Sequence, residues 1–124
     1  MKLSKKAFDR IVKRSIKRIP LEIGSHLDNL LISVLGRPSP DMLEEMGLEP
    51  DESLLGLYQG VSLMDRSVVD PPLFPDTIFL FQEPLEEMCE TIEELEEEIE
   101  ITVVHEIAHA LGIDEERLAE LGYE

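Results

Sequence analysis

The sequence predicts one small α+β domain of about three strands and three or four helices. Three observations carry this. The chain has 124 residues, 43% of them hydrophobic and only 5% aromatic, with no Trp. That suffices for one core built mainly from Leu, Ile and Val, so 1–124 reads as a single domain. Apolar residues recur at helical spacing near both ends of the chain. Between them lie short apolar runs bounded by Gly and Pro, the signature of strands.

Taken in order, Ser4 to Ile19 reads as an amphipathic helix. Phe8, Ile11, Val12, Ser15/Ile16 and Ile19 share one face, Lys and Arg fill the gaps, Ser4 serves as N-cap and Pro20 stops it. Asn29 to Leu35 suits a buried strand, ended by the breaker-rich Gly36-Arg37-Pro38-Ser39-Pro40. Asp41 to Gly47 fits a short helix with Met42, Leu43 and Met46 on one side. Leu54 to Gly60, followed by Val61 to Leu63, reads as strand and turn, and Asp65 to Asp76 as a loop holding Pro71, Pro72 and Pro75. Thr77 to Phe81 is a strand ended by Pro84, and Pro84 to Glu90 a helical turn or short helix. The longest element starts at Thr91, with Glu94 completing a capping-box pattern. Ile92, Leu95, Ile99, Val103 and Ala110 keep the helical period to Leu111, where Gly112 is placed to end it. Asp114 then caps a last helix, Glu115 to Leu121, before Gly122.

The net charge of −17 is unevenly distributed. Residues 1–18 hold eight of the eleven cations against Asp9 alone, a net +7; the rest, with three cations and 27 acids, carries −24. Most of this surface repels a polyanion, so a nucleic-acid partner is not expected. The basic segment is expected to be a solvated helix face that docks against the acidic body. No apolar run approaches membrane-spanning length, so no membrane partner is expected, and the N-terminus lacks the apolar stretch of a signal peptide. Cys89 is the sole cysteine. The expectation is a soluble, reduced, cytoplasmic protein.

The residues that carry chemistry are His105-Glu106-Ile107-Ala108-His109. A spacing of four on a helix puts both imidazoles on one face about one turn apart, within reach of one zinc ion. Glu106 lies roughly 100° around the helix from His105. There it can take a proton from a zinc-activated water, which then attacks a polarised carbonyl, and pass the proton to the leaving amine. A third protein ligand is needed, and a helix-ending glycine lets the chain turn back to supply one. Glu115, three residues after Gly112, is preferred; Asp114 is the alternative, although it competes as N-cap. His26 has no motif around it and reads as a loop or surface residue.

With these residues the sequence resembles the small zincin-like metallopeptidase family. The likeness runs through HEIAHALGIDEERLAELGY (His105 to Tyr123), LLGLYQG (Leu54 to Gly60), Pro75 to Phe81, and Leu27-Asp28-Asn29 at the start of the first strand. It implies a minimal zincin-like fold, with a small sheet packed against the long helix and the amphipathic helix N-terminal to both. It implies zinc held by His105 and His109, with Glu106 as general base and an acidic third ligand at the place of Glu115. The family commonly has Asp there, and often His where this chain has Ala110. No Met lies in the residues after Glu115, so the methionine turn of larger metzincins is not expected here. In zincins a strand beside the active helix can pair with an extended substrate. Thr77 to Phe81 is the candidate, although Ile78, Leu80 and Phe81 equally suit a buried central strand. The acidic run Glu93 to Glu100 suits the helix dipole as a solvated face; a preference for cationic peptides is its functional alternative. Neither Tyr58 nor Tyr123 is placed near the metal by sequence.

Two functions follow from different classes. One is a zinc-dependent peptidase acting on a peptide or protein substrate. The other is a metal-stabilised binding or regulatory domain without turnover.

Overall fold

Residues 1–60 and 76–123 are described by the structure, a computed structural model. The chain runs α1 (Lys5–Lys17), α2 (Leu21–Gly24), a 3-10 turn (Ser25–Asn29), β1 (Leu30–Leu35), α3 (Pro40–Glu45), β2 (Gly56–Gln59), β3 (Asp76–Phe81), α4 (Gln82–Met88), α5 (Ile92–Leu111) and α6 (Glu115–Glu120). The class is α+β. Short helices outnumber the expectation because α2 and the 3-10 turn offer too few apolar residues to show a period. Leu27-Asp28-Asn29 lies in that turn, and the strand begins only at Leu30. The strand and turn expected at Val61 to Leu63, and the loop at 65–75, lie outside the described residues.

Capping chemistry sets the helix starts. Ser4 accepts from the Ala7 N–H, Ser39 from Met42 and Thr91 from Glu94. The box at α5 reaches one residue further back than its pattern implies. Glu94 Oε2 accepts from the Glu90 N–H at 3.0 Å, so the donor is the residue before the cap. Pro84 does not end the strand. β3 stops at Phe81, and Pro84 occupies the first turn of α4, where a missing N–H removes no intrahelical bond.

The sheet has the order β1-β3-β2, with β1 parallel and β2 antiparallel to β3. Ile78 and Leu80 of this central strand are fully buried. Helix α5 packs against β2, β3, α1, α4 and α2. Its first half buries the narrow stripe Leu95 and Ile99; its second half buries Thr102, Val103, Val104, Ile107 and Ala108, a much wider arc. The periodic pattern therefore overstates Ile92, which is 46% exposed, and misses Val104 and Ile107. Two-sided packing is the reason: a helix covered on several sides has no single apolar face.

Helix α1 buries Phe8, Ile11, Val12 and Ser15. On its α5 side Arg18 Nε lies 2.9 Å from Glu100 Oε1 and Arg14 Nε 3.5 Å from Glu96 Oε1. The basic helix thus rests on the acidic one. Glu86, 5% exposed on α4, accepts the Leu3 N–H at 2.6 Å and ties down the N-terminal segment.

Candidate metal centre

His105, Glu106 and His109 sit on the last two turns of α5. Gly112 ends that helix at φ +73°, where the Ile113 N–H reaches back to the Ala108 carbonyl at 2.9 Å. A glycine takes this left-handed position without the penalty of a Cβ, and the chain reverses into α6.

Strand β2 runs along the same half of α5, and one glycine sets its approach. A Cβ on Gly56 would stand 2.6 Å from Thr102 Cγ2 and 3.2 Å from the Phe79 carbonyl. Without a side chain there, strand and helix come together. Two residues on, Tyr58 meets Glu106, which lies one turn past Thr102. The ladder register explains which group it offers. The Phe81 N–H bonds the Leu55 carbonyl, so the bonded pairs with β3 fall at Leu55, Leu57 and Gln59. The N–H of Tyr58 then points to the outer edge of the sheet, where it donates to the Glu106 carboxylate. The Tyr58 hydroxyl donates to Asp76 Oδ2 at 2.5 Å, and Asp76 is 8% exposed.

Burial pushes the Glu106 carboxyl above the ordinary range, and this outweighs the opposing pull of His109, of the Tyr58 N–H and of His105. His105 is half-buried, and its Nε2 is buried with no hydrogen-bond partner. An imidazole nitrogen in that state is costly unless something takes its lone pair or proton. His109, one turn on, is exposed. Two imidazoles at this spacing, one with an unsatisfied nitrogen, suit a zinc ion.

The third ligand is a different matter. Asp114 Oδ1 accepts the Arg117 N–H at 2.8 Å as N-cap of α6. Glu115 is exposed on the first turn of α6, with no hydrogen bond or ion pair among the described residues. Among the described residues, no three His, Cys, Asp or Glu side chains are gathered to hold a metal ion. His26 is exposed on the 3-10 turn. Tyr123 points elsewhere, donating to Glu100 Oε2 at 2.6 Å, and burial pushes its phenol up, aided by that bond.

Of the two readings of Thr77 to Phe81, the buried central strand holds and the free edge for substrate does not. β3 is paired on both sides, and β2 is the strand beside the histidine-bearing half of α5. The Tyr58 N–H was not anticipated either. Gly56 was the available signal, since glycine inside a strand marks close backbone approach.

No curated protein matches the chain. Among solved structures, a conserved hypothetical protein from Thermo thermophilus is similar at 21% identity and a TM-score of 0.55. The match covers 94% of this chain and 98% of that one, and at such identity the likeness is one of fold. The family described as zincin-like metallopeptidase matches over residues 27–123, a span that includes β2, α5 and α6. Since that is most of the sequence, the chain belongs to the zincin-like metallopeptidase family.

Proposed function

We propose that the protein is a zinc-dependent peptidase in which His105 and His109 hold the metal and Glu106 moves the proton. The observation that carries this is the state of Glu106: a half-buried carboxyl beside both histidines, fixed by the Tyr58 N–H. A zinc ion in such a site supplies an acidified water and polarises the scissile carbonyl. Glu106 accepts the proton from that water as general base. The same carboxyl group then passes that proton to the leaving amine. The Tyr58 N–H holds one orientation of the carboxylate throughout. Glu115 is the preferred third ligand, because its carboxylate is uncommitted while that of Asp114 caps α6. Completing the site requires Glu115 to swing toward the histidine pair.

A non-catalytic, metal-stabilised binding domain is favoured by one observation, the ungathered third ligand. Glu106→Gln separates the two readings. For a peptidase, the variant keeps about one zinc per chain by elemental analysis and loses peptide cleavage by at least about a hundredfold. If neither protein cleaves any member of a broad peptide library, the binding-domain reading stands. His105→Ala and Glu115→Ala are each expected to lose the zinc. Zinc retained in Glu115→Ala but lost in Asp114→Ala would assign the third ligand to Asp114.

A further inference from the structure

At the opposite edge of the sheet from the histidines, β1 has no strand beside it among the described residues. Its sequence, LLISVL, is almost wholly apolar, and Leu31 is 55% exposed. An unpaired apolar edge of this kind attracts another strand unless something blunts it. Between β1 and α1 lies a cavity of about 470 Å³, lined on the strand side by Ile32, Ser33 and Val34. Ile32 and Val34 share one face of β1 and Ser33 lies between them, so the cavity follows the course of this edge strand. Val12 and Ile16 of α1 form its apolar wall.

The rim carries charge. Lys5, Asp9 and Lys13 line the cavity from the flank of α1 opposite Arg14 and Arg18. Those two arginines are engaged by Glu96 and Glu100, while Lys5 and Lys13 make no ion pair among the described residues. Arg37 and Arg117, outside α1, are likewise held by carboxylates. Among the described residues, the unengaged cations of this acidic protein are therefore gathered on the segment beside the open edge of β1. A second copy meeting the first edge to edge would bring two α1 helices, each from a segment of net +7, close together.

We infer that the α1–β1 groove binds an extended acidic segment of another protein, which adds a strand to β1 and sets its carboxylates against Lys5 and Lys13. Backbone bonds to β1 supply affinity, and the lysines select the charge. The groove is separate from the metal centre and does not depend on the peptidase reading.

The test titrates the full-length protein with a labelled peptide of about six residues alternating Glu and Val, an ordinary strand length. A peptide with Lys in place of Glu is the control. The Glu peptide is expected to bind more tightly, and to weaken as NaCl rises. The Lys5→Glu/Lys13→Glu variant, with unchanged circular dichroism, should weaken it by about tenfold or more. Amide exchange should slow at alternate residues of β1, and Glu106→Gln should leave binding intact. Equal binding of both peptides overturns the inference, as does protection at β2 or α5 instead of β1. Loss of binding in Glu106→Gln would move the peptide to the metal centre. A dimer in sedimentation that excludes the peptide would make a second copy the occupant.

Discussion

At Glu106 one carboxyl group feels four influences, and burial wins over His109, the Tyr58 N–H and His105. The consequence for stability has a definite sign. The folded pKa lies above the unfolded one, so between the two values the folded chain binds more protons. Stability then falls as pH rises through that window and stays lower above it. In the presence of a chelator, Glu106→Gln removes the buried charge while its amide oxygen still accepts from Tyr58. The metal-free variant is expected to melt higher than wild type at neutral pH, with the gap closing below about pH 4. A constant gap across thermal melts at several pH values would mean that Glu106 is not held at a cost. His105 gives a complementary prediction. If the proposed site is right, zinc supplies the partner that its orphaned Nε2 lacks, so added zinc should raise Tm by mass action, and His105→Ala should abolish the rise.

At the level of elements, the spacing of β2 and α5 decides whether Tyr58 reaches Glu106. Gly56→Ala places a methyl group 2.6 Å from Thr102 Cγ2 and 3.2 Å from a backbone carbonyl. A cost of about 1–3 kcal/mol in denaturant unfolding is expected. Thr102→Ser deletes that methyl and keeps the hydroxyl that bonds the Glu98 carbonyl at 2.8 Å. The double variant should therefore recover part of the loss, a coupling that a double-mutant cycle reads directly. Additive effects would show that the strand does not lean on the helix at this point. The helix start offers a simpler case: Thr91→Ala should lose about 1 kcal/mol, the usual value of an N-cap.

Across the whole molecule, charge is arranged to help at one interface and to oppose folding elsewhere. Salt weakens the contacts of Arg14 and Arg18 with α5, but these are partly exposed pairs worth little. It also screens repulsion within a body of net −24, which is the larger effect. Tm is expected to rise between about 10 and 150 mM NaCl, where the Debye length shortens from about 30 to 8 Å. Helix α1 should stay docked throughout, because Phe8, Ile11 and Val12 are buried beneath it. A falling Tm would mean that the α1–α5 attraction dominates the electrostatics.

The α+β class, the caps at Ser4, Thr91 and Asp114, the turn at Gly112 and the placing of His105 and His109 on one helix all followed from the sequence. Each depends on residues within a few positions of one another, where propensity and helical spacing act directly. Long-range choices were hidden for the matching reason. β3 became central, so the strand beside the histidine-bearing half of α5 is β2, because pairing partners across a sheet are set by packing and not by neighbours in the chain. The breadth of the buried arc on α5 came from what surrounds it, which no periodicity records. The Tyr58 N–H that fixes Glu106 is a backbone group, and every residue except proline carries one. Its direction was decided only when Gly56 let strand and helix meet.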